Sequence, residues 1–424
     1  MSLSTTSDFV SVQSGLCASD FDPQPIVTAS GHVRLISDTL ATVAPILPKV
    51  PVTRVYDLST IDSLGLPVWG AVTPLAADIT VHSGKGETPE AAKASAIMEA
   101  IERVCGESLP SDRQVRCSLS CLLERQDLPI VTPGDLNAPA QGRLTNKTSI
   151  HWTKGYDVQQ KTEIWLPSDA VITPPQDGVF QGVETNGLAS GNSIAEATLH
   201  AIYEVIERDA ASIDRFIEEH GEAADGPRFQ PRMLSTHTLP PTVADWVARL
   251  RSENCVVTFQ DQTSDLGVPV IAAHVLTRRF PGNMNRDTVF VGHGCDYDAG
   301  RAALRAVTEA VQAHSVTLLG ARDAIEGMRP RPDRASRLLR RIRVLNPDAL
   351  ATFDFVSDGD EDIARNTNRA LKAMRTVGLD RCIVVNMTRA ELGVPVVRVV
   401  VPGLECPYSF TTRLPGDRLL RSLI

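Results

Sequence analysis

Three segments of the sequence carry pairs of carboxylate or amide side chains that are spaced three residues apart within helical stretches. These pairs are Glu99 and Glu102, Glu204 and Glu207, and Glu309 and Gln312. The first members of successive pairs are 105 residues apart. Side chains at i and i+3 lie on one helix face, so each helix can direct two oxygen ligands at one place. Mg²⁺ prefers oxygen ligands and is usually shared with substrate phosphates.

Each pair follows a glycine-containing segment that the sequence predicts to be a turn before a helix N-terminus. These segments are residues 83–86, 190–192 and 292–294. Such turns present amide N–H groups and the positive end of the helix dipole, which bind phosphate. Lys85 lies between two glycines, although the G-x-x-x-x-G-K-[ST] spacing of a P-loop is absent. Anion-binding turns beside clustered carboxylates predict a magnesium–nucleotide site.

The glutamate pairs lie in otherwise apolar helical stretches, so we expect them to be partly buried. Isolated charges are costly outside water, and buried carboxylates therefore need cations. Arg103 and Arg208, each directly after a pair, could neutralise them as structural ion pairs. A divalent cation is the functional alternative. The first two pairs taken together with Glu196 favour that alternative.

The third helix adds a cation to the predicted site. Arg305 and Gln312 are seven residues apart, two helical turns, and share a face with Glu309 nearby. A cation at Arg305 could stabilise charge on a phosphate during its transfer. Asn192 can be a helix cap alone or also a ligand, and the sequence leaves both open.

The elements that position these residues can be read from periodicity and capping signals. Helices are predicted over residues 88–105, 192–216 and 299–318. Strands are predicted over residues 53–56, 67–72, 77–82, 255–260, 269–276, 288–292, 382–387 and 394–401. The last of these is rich in β-branched residues and should be a buried strand with one cation, Arg398. Residues 110–180 have the composition of a strand-and-loop insertion, and residues 221–241 that of a linker.

Strands and helices mix without strict βαβ alternation. The pattern favours an α/β fold of mixed α+β sheets flanked by helices over a doubly wound sheet. We expect residues 1–50 to be an N-terminal extension and residues 51–424 to form the catalytic domain. A helical, arginine-rich region should precede the last strands.

The composition excludes several classes of function. A net charge of −9 with 42% hydrophobic and 22% charged residues is typical of a folded protein and argues against a nucleic-acid partner. The basic cluster at residues 329–343 is the local exception, and a solvated helix face explains it best. The eight cysteines are scattered, and Cys117 and Cys121 have no second pair that would complete a zinc site. Without a signal peptide or a membrane-length apolar run, we expect a cytoplasmic protein with no membrane partner.

Other enzyme classes fit the motifs less well. Carboxylate-bridged di-metal proteins use Glu-x-x-His pairs on helices, whereas the first two pairs here are Glu-x-x-Glu. His200 and His314 lie near the helices but off that ligand spacing. Hydrolase and dehydrogenase interpretations have no support, because neither a G-x-S-x-G elbow nor a Rossmann fingerprint occurs.

The motifs together resemble the YcaO superfamily, ATP-dependent enzymes that activate peptide backbone amides. The resemblance rests on residues 83–103, 186–209, 305–312 and 394–405 and spans about residues 50–410. It implies a YcaO-like α/β fold, usually dimeric, with ATP and Mg²⁺ as cofactors. By this resemblance the Mg²⁺ ligands are Glu99, Glu102, Glu204 and Glu207. The implied nucleotide-binding residues are Lys85, Ser95, Asn192, Glu196, Arg208, Arg305 and Gln312, and the implied catalytic residues are Arg305, Glu309 and Gln312.

The segment from Asn186 to Asn192, Asn-Gly-Leu-Ala-Ser-Gly-Asn, is most similar to the TfuA-associated branch, which is linked to peptide thioamidation. The proline-rich C-terminal tail of many azoline-forming members is absent, and His314 stands where an arginine is common. The expected activity is ATP-dependent phosphorylation of a peptide amide oxygen, giving a thioamide with an external sulfur donor. An azoline-forming cyclodehydratase acting on Cys, Ser or Thr is the alternative, and a non-catalytic nucleotide-binding scaffold is a second. No leader-peptide-binding module is evident, so a peptide or protein substrate and a TfuA-like or leader-binding partner are expected.

Overall fold

The structure, a computed structural model, describes residues 12–61, 63–136, 144–180, 184–220, 222–223, 226–227, 231–277, 288–320, 350–355, 359–406 and 414–423. Helices α1 to α8 are Ile36–Val43, Pro89–Gly106, Leu119–Arg125, Ile194–His220, Pro241–Ser252, Ala299–Leu319, Ile363–Thr376 and Asp417–Arg421. Strands β1 to β15 are Arg54–Asp57, Val68–Val72, Val81–Lys85, Gln114–Ser118, Ser149–Asp157, Thr162–Pro167, Leu188–Ser190, Glu222–Ala223, Gly226–Pro227, Arg232–Leu234, Val256–Asp261, Val270–Thr277, Thr288–Cys295, Ile383–Asn386 and Val396–Val400.

The strands form antiparallel sheets that are flanked by helices. One sheet has the order β1-β2-β3 and another the order β10-β11-β12-β13. A six-stranded sheet has the order β4-β5-β14-β15-β7, with β6 also paired to β5. The prediction of mixed sheets and helices is therefore confirmed. Strands β4, β5 and β6 belong to the largest sheet, so residues 110–180 contribute to its framework and are not a separate insertion.

Each of the three sequence motifs is a strand followed by a helix that packs back onto it. Strand β3 leads into α2, β7 into α4 and β13 into α6. The prediction of glycine turns is wrong for the first and third motifs, because residues 83–85 lie within β3 and residues 292–294 within β13. Strand β3 itself begins at Val81, four residues later than the predicted strand.

The glycines allow the helices to approach these strands closely. A Cβ atom at Gly84 would lie 2.0 Å from the Ala96 backbone nitrogen of α2. A Cβ atom at Gly292 would lie 2.2 Å from the Ala306 carbonyl oxygen of α6. No side chain fits at such distances, since interiors are close-packed. The glycines therefore set the distance between strand and helix rather than form phosphate-binding turns.

The helix boundaries follow the predicted capping chemistry. Thr88 Oγ1 accepts a hydrogen bond from the Ala91 amide at 3.2 Å, and Pro89 occupies the first turn of α2. Ser193 Oγ accepts a hydrogen bond from the Glu196 amide at 3.1 Å at the start of α4. Helix α4 continues to His220, four residues beyond the predicted end.

Some elements were not predicted, and some predictions lie outside the described residues. Helix α5 was not predicted. It begins at Pro241, where the expected linker ends, and it buries Trp246 and Leu250. The basic cluster at residues 329–343 lies outside the described residues. Helix α7 lies in the region that was expected to be helical before the last strands. Across the described ranges, no helix is both long and apolar enough to cross a membrane.

Candidate functional site

The first and third motifs meet through two cross-links between β3 and α6. Lys85 Nζ lies 2.5 Å from Glu309 Oε2. The Gln312 carboxamide donates hydrogen bonds to the Ser83 carbonyl oxygen at 2.6 Å and to Ser83 Oγ at 2.9 Å. Ser95 of α2 faces the same strand, with its Oγ 3.4 Å from the Lys85 amide nitrogen. Helices α2 and α6 thus meet at strand β3 although their motifs are far apart in the chain.

The glutamate pairs of α2 and α4 form a partly buried acidic cluster, in which the Glu99 and Glu204 side chains are each 28% exposed. Burial, and then the charges of Glu99 and Glu204, raise the pKa of Glu102 well above its usual range. Burial and the neighbouring carboxylates also raise the pKa of Glu204 to about 7, against the opposing charges of Arg208 and Arg398. Burial raises the pKa of Glu207, whose side chain is only 7% exposed. Burial next to one another therefore makes these carboxyl groups hold protons more tightly than exposed glutamates do.

Two arginines partly balance this charge. Arg103 Nε donates to Glu99 Oε1 at 3.0 Å, and Arg208 lies 3.5 Å from Glu207 Oε1 and 4.0 Å from Glu204 Oε1. Within the described part of the chain, no three His, Cys, Asp or Glu side chains converge closely enough to hold a metal ion as they stand. Glu99, Glu204 and Glu207 are instead turned toward arginines. Their oxygen donors nevertheless match the chemistry that Mg²⁺ requires.

Glu102 is anchored to the second motif. Its Oε2 atom accepts hydrogen bonds from the Ser190 amide at 2.9 Å and from Ser190 Oγ at 3.2 Å. These bonds join α2 to the end of β7. The framework therefore holds Glu102 against the strand that leads into α4.

In contrast to Glu102, Glu309 remains strongly acidic. Burial alone would raise its pKa, but the charges of Lys85 and Arg208 outweigh burial and lower the pKa to about 2. A carboxylate with this pKa is ionised throughout the neutral range. Glu309 consequently holds Lys85 in place at the edge of the acidic cluster.

Arg305 of α6 is bound by a histidine that sequence reasoning set aside. Arg305 Nη1 donates to His200 Nε2 at 2.6 Å. Burial, followed by the charges of Arg305 and nearby Lys85, lowers the pKa of His200 well below its usual value. A neutral imidazole can accept this hydrogen bond. His200 lies four residues after Glu196 and four before Glu204, a spacing that places all three on one helix face and could have revealed it.

The first turn of α4 contacts the N-terminal segment, defined here as residues 24–43. Glu196, 5% exposed, accepts hydrogen bonds from His32 Nδ1 at 3.1 Å and from the Val33 amide at 3.0 Å. Thr39 Oγ1 of α1 donates to Asn192 Oδ1 at 2.8 Å. The Asn192 carboxamide also donates to Glu196 at 3.0 Å. Two of the expected nucleotide-binding residues are therefore held by a segment in which sequence reasoning found no functional residue.

The expected site residues thus fall into two connected groups. One group, around the acidic cluster, contains Lys85, Ser95, Glu99, Glu102, Glu204, Glu207, Arg208, Arg305, Glu309 and Gln312. The other contains Asn192 and Glu196 at the start of α4. His200 lies between them, since it bonds to Arg305 and its ring packs edge-on against His32 with centroids 6.2 Å apart. Together they offer oxygen ligands for a divalent cation next to cations that suit phosphate.

A family model described as YcaO cyclodehydratase, ATP- and Mg²⁺-binding, matches residues 83–405, the stretch that contains all three motifs. An uncharacterised protein of Methanothermobacter thermautotrophicus is 31% identical over 400 residues, covering 91% of this chain and 98% of its own length. A protein of Rhizobium leguminosarum bv. trifolii, named for its position in the tfuA 3′ region, is 28% identical over 396 residues, covering 89% of this chain and 90% of its own.

Solved structures share the fold. A YcaO protein of Methanopyrus kandleri, solved with AMPPCP and Mg²⁺, has a TM-score of 0.71 and 24% identity, covering 90% of this chain and 95% of its own. A heterocyclase solved in complex with substrate and cofactor has a TM-score of 0.71 and 22% identity over 93% of this chain. The present chain spans 56% of that heterocyclase's length.

Proposed function

The chain belongs to the YcaO family of ATP- and Mg²⁺-binding proteins, and we propose that it phosphorylates peptide backbone amides to activate them for attack by sulfide. The observation that carries this proposal is the partly buried acidic cluster of α2 and α4 beside three cations, Lys85, Arg208 and Arg305. Clustered carboxylate oxygens suit a divalent cation, and the cations next to them suit phosphate.

In this proposal Glu99, Glu102, Glu204 and Glu207 hold Mg²⁺. These carboxylates would supply the ion's oxygen ligands, and its positive charge would offset the burial and mutual repulsion that raise their pKa values. Lys85, Ser95, Asn192, Glu196, Arg208, Arg305 and Gln312 bind the nucleotide. Bound Mg-ATP supplies the phosphoryl group that converts the amide oxygen into a leaving group.

The remaining work falls to the chain's own residues. Arg305, Glu309 and Gln312 are the proposed catalytic residues. Arg305 stabilises charge on the transferring phosphate, and Glu309 fixes the Lys85 ammonium. Gln312 fixes β3 through Ser83. Catalysis by such a site consists of positioning and charge neutralisation.

We further propose thioamide formation with an external sulfur donor, as part of ribosomal peptide modification. The activated amide carbon is attacked by sulfide, the carbon–oxygen bond to phosphate breaks, and phosphate leaves. The tfuA-region name of the rhizobial relative supports a TfuA-like partner protein. A homodimer is the oligomeric state that we propose.

Azoline formation is the second candidate, because the family model is described as a cyclodehydratase. In that reaction a neighbouring Cys, Ser or Thr side chain attacks the activated carbon in place of sulfide. The experiment is mass spectrometry of a peptide library incubated with the protein, Mg-ATP and sulfide, with the Glu99→Gln, Glu204→Gln double variant as control. Exchange of one oxygen for sulfur supports thioamidation. Loss of one water from the peptide instead would contradict thioamidation and support azoline formation.

A further inference from the structure

The arginines that follow the first two glutamate pairs occupy equivalent places in their motifs but have different partners. Arg103 follows Glu102 on α2, and Arg208 follows Glu207 on α4. Among the described residues, Arg208 forms ion pairs only with the glutamates of its own helix, Glu204 and Glu207. Arg103 has, in addition to a glutamate of its own helix, a carboxylate partner from outside the three helices.

This additional partner is Asp78, in the loop between β2 and β3. Arg103 Nη1 donates to Asp78 Oδ2 at 3.1 Å, while Arg103 Nε donates to Glu99 Oε1 at 3.0 Å. The loop is tied to α2 at a second point, because the Glu107 carboxylate accepts a hydrogen bond from the Ala77 amide at 2.6 Å. The planar guanidinium, whose donors point in fixed directions, therefore joins an anchored loop to a proposed Mg²⁺ ligand.

Asp78 acts on Glu99 through Arg103 in two ways. It holds one side of the guanidinium, so that the Nε–H on the other side fixes the direction in which the Glu99 carboxylate points. It also offsets the charge of Arg103, whose side chain is only 20% exposed, and so reduces the repulsion between this arginine and a divalent cation. Groups that orient a metal ligand through hydrogen bonds raise the affinity for the metal.

We propose that Asp78 is a positioning residue for the Mg²⁺ ligand Glu99 and that it acts through Arg103. Arg208, which has no ion-pair partner outside its own helix among the described residues, can turn to a nucleotide phosphate, whereas Arg103 is bound into the framework. Asp78 lies before residues 83–405, the part of the chain that the family model matches. This inference rests on the proposed function and adds to it a residue outside the three motifs.

The test measures the binding of Mn²⁺, which suits the same oxygen ligands as Mg²⁺, in the presence of AMPPCP. Electron paramagnetic resonance quantifies the free Mn²⁺. Asp78→Asn should raise the Kd for Mn²⁺ about tenfold, the lower end of the effect of such orienting residues. Glu107→Gln is the matched control, because it removes a carboxylate charge from the contact between the same loop and α2 and leaves the bonds of Arg103 in place. It should change the Kd less than about twofold, since a charge that contacts neither the metal ligands nor Arg103 is screened.

A double-mutant cycle with Arg103→Gln shows whether Asp78 acts through the arginine. In the Arg103→Gln protein, adding Asp78→Asn should have little further effect on the Kd for Mn²⁺. A wild-type Kd in Asp78→Asn, or an equal loss of affinity with and without Arg103, would overturn the positioning role. If Asp78→Asn does not fold, Arg103→Lys tests the same link, because one ammonium cannot reproduce the two directed bonds of the guanidinium. Wild-type Mn²⁺ affinity in Arg103→Lys would likewise overturn the role.

Calorimetry of AMPPCP with Mg²⁺ on the wild-type protein separates this inference from the proposed function. Magnesium-dependent binding by the wild type, together with unchanged Mn²⁺ affinity in Asp78→Asn, contradicts the role of Asp78 alone. Absence of AMPPCP binding by the wild type contradicts the proposed function itself.

Discussion

Arg305 and His200 are joined by a 2.6 Å hydrogen bond between the third and second motifs, with the guanidinium as donor and the imidazole as acceptor. The low pKa of His200, which burial and the charge of Arg305 produce, keeps the ring neutral so that it can accept. His200 is thus a positioning residue for a side chain that we propose to act on phosphate. This bond also fixes α4 against α6 beside the acidic cluster.

Replacing His200 by phenylalanine should lower kcat for ATP turnover about tenfold, because Arg305 loses the acceptor that orients it. The KM for ATP should change by less than about threefold, since the other cations remain. His200→Asn keeps an acceptor and should recover part of kcat. The measurement is steady-state phosphate release for the three proteins. Wild-type kcat in His200→Phe would contradict the positioning role.

The contact between α1 and Asn192 predicts a role for the N-terminal segment in nucleotide affinity. Thr39→Val removes the 2.8 Å hydrogen bond to Asn192 with little change in shape. The Kd for Mg-ATP should rise about three- to tenfold, the usual effect of losing one hydrogen bond. Thr42→Val is the matched control, because Thr42 lies on the same helix and bonds to Asp38 and Arg34. Equal affinities of the two variants in calorimetry would argue against the role.

The raised pKa of Glu204 predicts a dependence of stability on pH in the absence of Mg²⁺. With a folded-state pKa of about 7, Glu204 binds a proton more tightly in the folded than in the unfolded protein. Its contribution to the free energy of unfolding therefore falls as the pH rises from about 4.5 to about 7. Glu204→Gln removes this pH-dependent contribution. Relative to the wild type, the free energy of unfolding of the variant should therefore rise by about 1 to 2 kcal/mol between pH 5 and pH 7.5.

Urea denaturation with a chelator at these two pH values measures the difference. Glu124→Gln, at an exposed glutamate of α3, provides the comparison and should show no such gain. A difference between Glu204→Gln and wild type that does not change with pH would show that the carboxylate is not desolvated. Adding Mg²⁺ should stabilise the wild type more at the higher pH, since metal binding displaces the proton.

The strand glycines predict a large effect on stability. Gly84→Ala places a Cβ atom 2.0 Å from backbone of α2, which cannot move without displacing Glu99 and Glu102. We expect a loss of about 3 kcal/mol or more, at the upper end of overpacking costs. Gly134→Ala should change stability by less than about 0.5 kcal/mol, because its Cβ would meet only Thr132 Oγ1, at 3.7 Å. Chemical denaturation of both variants gives the comparison, and similar losses would refute the packing explanation.

Local chemistry made much of the fold predictable. Thr88 and Pro89 mark the start of α2, and the apolar stripe and paired glutamates of α4 are readable without tertiary information. The β-branched run around Arg398 correctly indicated a buried strand with one cation. These features depend on residues that are neighbours in the sequence.

Contacts between distant residues could not be predicted in the same way. Glycine suits a turn because of its backbone freedom and a crowded strand because of its size, and the sequence of residues 83–86 does not distinguish the two. His32 and Glu196 are 164 residues apart, and no local pattern links them. His200 carried a spacing signal, but its partner Arg305 lies on another helix.

The most direct test of the account is calorimetric titration of ATP, with and without Mg²⁺, into the wild type and the Glu99→Gln, Glu204→Gln double variant. The account predicts binding that requires Mg²⁺ in the wild type and a Kd at least about a hundredfold higher in the double variant, since two of four proposed metal ligands are lost. Unchanged binding in the double variant would place the nucleotide elsewhere. Absence of binding in the wild type would contradict the central claim and favour a scaffold that does not bind nucleotide.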